Sequence, residues 1–245
     1  MCSSDLTLGF QAARAAGELG IPTVAIYQTD LVGFAERYDV PGGVRAAAGL
    51  TRRIHQHVDR TLAPSTASID QLEALGVPEV HRWGRGVDLV AFHPRHRDET
   101  LRRRLAPDGR LLVGYVGRLA AEKELDLLTH LADDPRYALV VVGGGPEEQR
   151  LRGLLGDRAS FLGLLHGDEL SRAHASLDVF VHTGRYETYC QSAQEALASG
   201  VPVVAPAAGR RRLRVSLVRE GAYWFDDRDP TQGVAVEVVV DITPD

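Results

Sequence analysis

The 245-residue sequence predicts an α/β fold built from two Rossmann-like regions with parallel sheets. Three observations lead there. Short apolar runs rich in β-branched residues alternate with longer amphipathic stretches, the pattern of βα units. The segment GRGVDLVAFHP, at residues 84–94, holds turn residues and a proline and has no clear period, so it reads as a connector. A second series of strands and helices then begins at Leu111.

In chain order, residues 8–19 read as a helix stopped by Gly20, and residues 23–27 as a buried strand. Residues 44–58 are expected to be helical and residues 60–63 a short strand. Ser65 and Ser68 offer N-caps for a helix running to Leu75, and residues 80–83 suit a third strand. Past the connector, residues 97–105 are expected as a helix. The run LLVGYVGRL then opens the second sheet, and residues 138–142 form a buried strand ending in Gly143-Gly144-Gly145-Pro146. Helices are expected over 147–155, 167–176 and 192–199, with strands over 159–162, 179–182 and 201–205. The expected domains are 1–90 and 91–245. Residues 1–83 supply three strands where a doubly wound domain usually has five or six, so the first domain is expected to be truncated at its N-terminus.

Composition narrows the function classes. The fractions of apolar (44%) and charged (25%) residues are those of an ordinary globular chain, and no apolar run is long enough for a membrane helix. The N-terminal residues lack the basic and apolar regions of a secretory signal. Cys2 and Cys190 alone make neither a disulfide framework nor a zinc site, which fits a cytoplasmic setting. A net charge of −5 argues against nucleic acid as a partner. Basic clusters near Arg95 and Arg210 read as solvated faces, with contact to a lipid surface or a phosphate as the sharper alternative.

In open α/β sheets ligands bind beyond the carboxyl ends of the strands, and four features fall there. Arg118 and Lys123 follow Gly117 at a strand-to-helix turn, where two cations and a helix N-terminus can clamp a diphosphate, or where both side chains are simply solvated. Gly143, Gly144 and Gly145 allow a close backbone approach, or simply make a turn; no Gly-Lys-Ser/Thr follows, so nucleotide hydrolysis is disfavoured. Leu162, Gly163 and Leu165 form either an apolar wall for a base or part of a core strand. Glu187 and Glu195 stand eight positions apart, with Glu195 expected about two turns along the following helix. Carboxylates accept two strong hydrogen bonds from sugar hydroxyls, and the backbone of Thr188, Tyr189 and Cys190 lies at the helix start where a phosphate can sit.

The block ETYCQSAQEALASGVPVVAPAAG resembles the E-x7-E region of retaining GT-B glycosyltransferases. GYVGRLAAEKELD, RWGRGVDLVAFHP, VVVGGGPEEQRLRGL and ASLDVFVHTG resemble other segments of that family, in consistent order over roughly residues 5–209. AIYQTDLVGFAERY, RTLAPST and RWGRGVD look most like the actinobacterial GDP-mannose-dependent α-mannosyltransferases acting on lipid acceptors. The resemblance implies a GT-B fold of two Rossmann-like domains, the second lacking its final helices, since the likeness fades at Arg210-Arg211-Arg212.

It also implies roles. Arg118 and Lys123 would hold the donor's diphosphate, with Gly117 and Gly144 beside it. Glu187 would bind the transferred sugar with the backbone of Thr188, Tyr189 and Cys190. Glu195 would bind the ribose, and residues 162–165 the base. Arg118, Lys123 and Glu187 would carry catalysis, with no cofactor and no metal required. Retention would follow from front-face attack, the leaving diphosphate taking the acceptor's proton.

Two positions depart from the family pattern: Cys190 stands where many members have glycine, and Gln28 where many have a histidine facing the sugar and acceptor. The expected partners are GDP-mannose or another nucleotide sugar and a lipid or glycan acceptor, with peripheral association at the inner membrane face. A UDP-sugar donor and a binding fragment without turnover are the alternatives. An epimerase of the same fold would need histidines at its cleft, whereas His55, His57, His81, His93 and His96 read as surface residues.

Overall fold

The computed structural model describes residues 6–39, 41–184, 187–205, 213–215 and 236–238. The chain forms two compact units, Met1–Gly86 with Tyr186–Cys190, and Val87–Arg185 with Gln191–Asp245.

The described part of the first unit holds helices α1 (Leu6–Glu18), α2 (Leu31–Arg37), α3 (Gly43–His55) and α4 (Thr66–Ala74) around strands β1 (Val24–Ile26), β2 (Arg60–Ala63) and β3 (Val80–Arg82). The strands are parallel, in the order β1-β2-β3. Strand β1 was expected to be buried, but it is an edge strand with Val24 53% exposed. Helix α2 is one that the sequence pattern leaves unassigned, because Gly33 interrupts its short apolar run. Asp30 starts it by accepting from the Gly33 N–H at 2.9 Å. Ser65 caps α4 by accepting from the Ser68 N–H at 3.2 Å, while the Ser68 hydroxyl is buried.

His55 corrects the expectation that the first-half histidines are surface residues. It sits one turn after Thr51 on the buried face of α3, 7% exposed, with Nδ1 3.0 Å from the Thr61 hydroxyl. Tyr27 packs edge-on against it, and the Tyr27 hydroxyl lies 3.1 Å from Gln71 Oε1 and 3.3 Å from Asp30 Oδ1, sharing one proton between them. Burial lowers the His55 pKa to about 4, so the ring stays neutral in the folded protein.

The second unit is built on a five-stranded parallel sheet in the order β6-β5-β4-β7-β8. Its strands are β4 (Leu111–Val116), β5 (Tyr137–Val142), β6 (Ala159–Gly163), β7 (Val179–Val181) and β8 (Val203–Val204). Strands β4 and β5 are buried along almost their whole length, as parallel strands covered on both faces must be. The helices are α5 (Glu99–Leu105), α6 (Leu128–Ala132), α7 (Glu148–Leu155), α8 (Gly167–Ser176) and α9 (Gln191–Ala198). Tyr115, Leu119, Leu128, Val141, Leu151 and Leu155 form the centre of its core. Strands β9 (Leu213–Val215) and β10 (Val236–Val238) pair antiparallel as a separate two-stranded sheet. Arg210, Arg211 and Arg212 lie outside the described residues.

Asp178 fastens the start of this unit to its sheet. Its carboxylate accepts from the Leu112 N–H at 2.8 Å and from Arg102 at 2.9 Å, with Arg97 at 3.3 Å. Arg102 also donates to the Ser176 carbonyl at 2.7 Å. Two arginines of the basic run near Arg95 are therefore structural. Burial pushes the Asp178 carboxyl up, but these donors outweigh it and hold its pKa below the usual carboxylate range.

Two outcomes follow from these groups. Removing the Asp178 carboxylate (Asp178→Ala) strands Arg102 and the Leu112 N–H, and should cost about 3 kcal/mol of stability in urea unfolding. His55 has its folded pKa below its unfolded value, so the unfolded chain binds more protons between the two. Stability therefore falls as pH drops from the usual histidine range toward about 4. Between pH 7 and pH 5 this loss should be about 2 kcal/mol, and His55→Gln should remove that part of the pH dependence.

Candidate functional site

The strand order reverses between β4 and β7, which are neighbours in the sheet although β5 and β6 come between them in sequence. Loops leaving the carboxyl ends of two such strands diverge, and the crevice between them is where open α/β sheets bind ligands. The loop after β4 is Gly117–Lys123, and the loop after β7 begins at His182. They are packed on one another: the Thr183 hydroxyl donates to the Lys123 carbonyl at 2.5 Å. A Cβ on Gly184 would lie only 3.3 Å from the Glu122 carbonyl oxygen and the Lys123 Cα.

The loop after β5 is joined to the loop after β4 through the backbone. Gly117 N–H donates to the Val142 carbonyl at 3.0 Å, Leu119 N–H to Gly144 at 3.0 Å, and Glu147 N–H to Leu119 at 2.9 Å. Glycine is required here by contact as well as by conformation. Gly143 has φ +130°, and a Cβ on it would fall 1.9 Å from the Gly117 carbonyl oxygen; one on Gly145 would fall 2.3 Å from that of Leu119. The glycine triplet thus fixes the neighbouring loop. Gly163, at the end of β6 with φ +71°, extends the same array by accepting from the Gly143 N–H at 2.7 Å. Leu162 and Leu165 flank it half-buried, and Leu164 is 69% exposed.

Arg118 and Lys123 stand on this array. The Arg118 carbonyl is held by the buried Tyr115 hydroxyl at 3.0 Å, while its guanidinium is 67% exposed and 3.9 Å from the buried Glu122 carboxylate. Lys123 is half-buried. The α-helix N-terminus expected behind this pair is not there. Ala121–Lys123 and Leu125–Leu127 are single 3₁₀ turns, separated by Glu124 at φ +50°, and α6 has only five residues. Turns this short align few peptide dipoles, so positive charge at this corner comes mainly from the two side chains.

Glu187, Thr188, Tyr189 and Cys190 precede α9 and belong with the first unit. The Thr188 hydroxyl donates to the Gln28 carbonyl at 3.1 Å, and the Thr188 carbonyl accepts from Ser68 at 3.4 Å. Tyr189 donates to the Arg85 carbonyl at 2.8 Å and lies under the Arg85 guanidinium. Gln28 itself is exposed at the end of β1 and borders a cavity of about 290 Å³ lined also by Ala13, Ile26, Tyr27 and His55. Cys190 has φ +54°, the left-handed region where glycine is free and other residues are strained.

Because α9 begins at Gln191, Glu195 lies about one turn into it, rather than two. Its carboxylate is 3.5 Å from Nε2 of the fully buried His174, a neighbour that the sequence reading missed. The available signal was the spacing of Ser171 and His174 on the buried face of α8. Among the described residues there is no group of three or more His, Cys, Asp or Glu able to hold a metal ion, and no helix long and apolar enough to cross a membrane.

Comparison with known proteins agrees with this layout. Residues 96–232 match the family model for glycosyl transferases group 1, and residues 2–91 match that for glycosyltransferase family 4. A GDP-mannose-dependent alpha-mannosyltransferase from Mycobacterium tuberculosis is 52% identical over 89% of this chain and 58% of its own length. A GDP-mannose-dependent alpha-(1-6)-phosphatidylinositol dimannoside mannosyltransferase from the same species is 30% identical over 97% of this chain and 64% of its own length. The chain thus spans somewhat over half the length of the curated relatives it matches. The structure of Anabaena HepE in complex with UDP and glucose superimposes with a TM-score of 0.66 at 24% identity, covering 84% of this chain and 58% of that one. The fold is of the GT-B type, and the chain belongs to the glycosyl transferases group 1 family.

Proposed function

We propose that this chain carries the donor site of a retaining glycosyltransferase that moves mannose from GDP-mannose to a lipid or glycolipid acceptor. The observation that carries the reading is the loop Gly117–Lys123. It is braced by the glycine loop on one side and by Thr183 on the other, and presents two cations at the point where strand order reverses. Preorganised positive charge at such a point stabilises negative charge growing on a leaving diphosphate. Arg118 and Lys123 supply that charge, so catalysis needs no metal and no cofactor.

In this reading Glu187 and the backbone of Thr188, Tyr189 and Cys190 hold the transferred sugar, Glu195 the ribose, and residues 162–165 the base. Gln28 hydrogen-bonds on the acceptor side but cannot act as a general base. The names of two relatives support GDP-mannose as donor, and one of them names a phosphatidylinositol mannoside. A lipid acceptor implies work at a membrane surface.

A second reading, donor binding without turnover, is favoured by the first unit, whose described part has a three-stranded sheet with β1 at an open edge. The two readings part in one series of experiments. Calorimetric titration should show binding of GDP and GDP-mannose, with UDP weaker. Arg118→Ala should weaken GDP at least about tenfold, as loss of a charged hydrogen bond does, with the urea midpoint unchanged because the side chain is exposed. Flat heats with both guanine nucleotides would remove the mannose-donor reading, and an equal loss of folding in Arg118→Ala would remove its role. Transfer of radiolabelled mannose to membrane lipid then separates the enzyme from the binding fragment.

A further inference from the structure

His174 stands out among the buried polar groups of the second unit. It is 0% exposed, and neither ring nitrogen has a hydrogen-bond partner. Burying an imidazole unsatisfied is costly, and an apolar ring would fill the same space without that cost. Two aromatic rings fix its plane. Phe180 stacks on it at 5.9 Å and 24°, and Phe92 meets it edge-on at 5.4 Å and 87°. The polar group facing it is the Glu195 carboxylate, with Oε2 3.5 Å from Nε2 and the side chain only 16% exposed. That separation is just too long for a good hydrogen bond, and a shift of about half an ångström closes it. The imidazole is clamped, so the carboxylate is the group that moves.

We infer that His174 is a positioning residue for Glu195: its Nε2–H fixes one carboxylate oxygen so that the other faces the hydroxyls of a bound ribose. The inference rests on the reading of Glu195 as the ribose contact. A ribose diol drawing on Glu195 selects one carboxylate orientation, and a donor behind the carboxylate selects the same one. The ligand then meets a group already oriented, which lowers the ordering cost of binding. The imidazole needs its proton on Nε2, and no other change of state.

The test compares GDP with 2′,3′-dideoxy-GDP, which lacks the ribose hydroxyls, by titration of the wild-type chain, His174→Phe, His174→Gln, Glu195→Gln and the double variant His174→Phe/Glu195→Gln. Each is first checked by urea unfolding. His174→Phe keeps the ring stack and removes the donor. It should weaken GDP about tenfold and dideoxy-GDP by less than about twofold. His174→Gln, which keeps a donor, should recover part of the loss and also serves if the phenylalanine variant is poorly folded. The double variant should bind GDP no more weakly than Glu195→Gln alone. Wild-type affinity for GDP in His174→Phe, or equal weakening of both nucleotides, would overturn the inference. Separately, a Glu195→Gln variant that binds GDP like the wild type, or a wild-type chain that does not bind GDP, would overturn the ribose reading and the inference with it.

Discussion

The geometry of the second unit depends on one constraint, the approach of two backbones at the carboxyl ends of β4 and β5. Gly143 and Gly145 stand where any side chain would collide with the carbonyls of Gly117 and Leu119. Their lack of a Cβ lets the loop after β5 hydrogen-bond to the loop after β4, and Gly163 joins the array from β6. The backbone from Gly117 to Leu119, which carries Arg118, is placed by that contact. Arg118 projects from a residue whose carbonyl is tied to Tyr115, and Lys123 from one tied to Thr183. The cations need no helix behind them, because a rigid backbone array orients them, and charge held in a fixed place is worth more than charge on a mobile loop.

How much of this was legible in the sequence depended on whether the signal was local. Strand β2 and helix α8 were read from local pattern, a short strand over 60–63 and a helix over 167–176, and their bounds match. The helix expected after β4 fails because Glu124 takes a left-handed conformation, which its side chain does not announce. Helix α2 was left unassigned in the sequence, because its seven residues, with Gly33 buried among them, are too short to show a clear period. His55 was read as a surface residue, and His174 was not singled out at all. Only packing shows His55 against Thr61 and Tyr27, and His174 between Phe92 and Phe180. The candidate site shows the same split. Arg118, Lys123, Glu187 and Glu195 were named from spacing and resemblance, whereas the contacts that hold them, Thr183 on Lys123 and His174 beside Glu195, join residues distant in sequence.

The segment Glu187–Cys190 shows a different economy. Just before α9, Thr188 hydrogen-bonds to Gln28 and Ser68, and Tyr189 to Arg85, all within the first unit. Cys190 closes the segment in a left-handed turn that a side chain tolerates at a cost of about 1–2 kcal/mol. Strain of that kind persists only where surrounding contacts over-determine the backbone, and Thr188 and Tyr189 provide those contacts.

The central claim is that the backbone contact of the glycine loop positions the proposed donor site. It is tested most directly by comparing two glycine substitutions. Gly143 and Gly156 both have positive φ, so alanine is strained at each; a Cβ on Gly143 meets the Gly117 carbonyl, whereas nothing lies within 4 Å of one on Gly156. GDP affinity should be measured for Gly143→Ala and Gly156→Ala at a temperature where circular dichroism shows both folded. The account predicts that Gly143→Ala loses affinity by more than about tenfold while Gly156→Ala keeps it. Equal affinities in the two variants would contradict it.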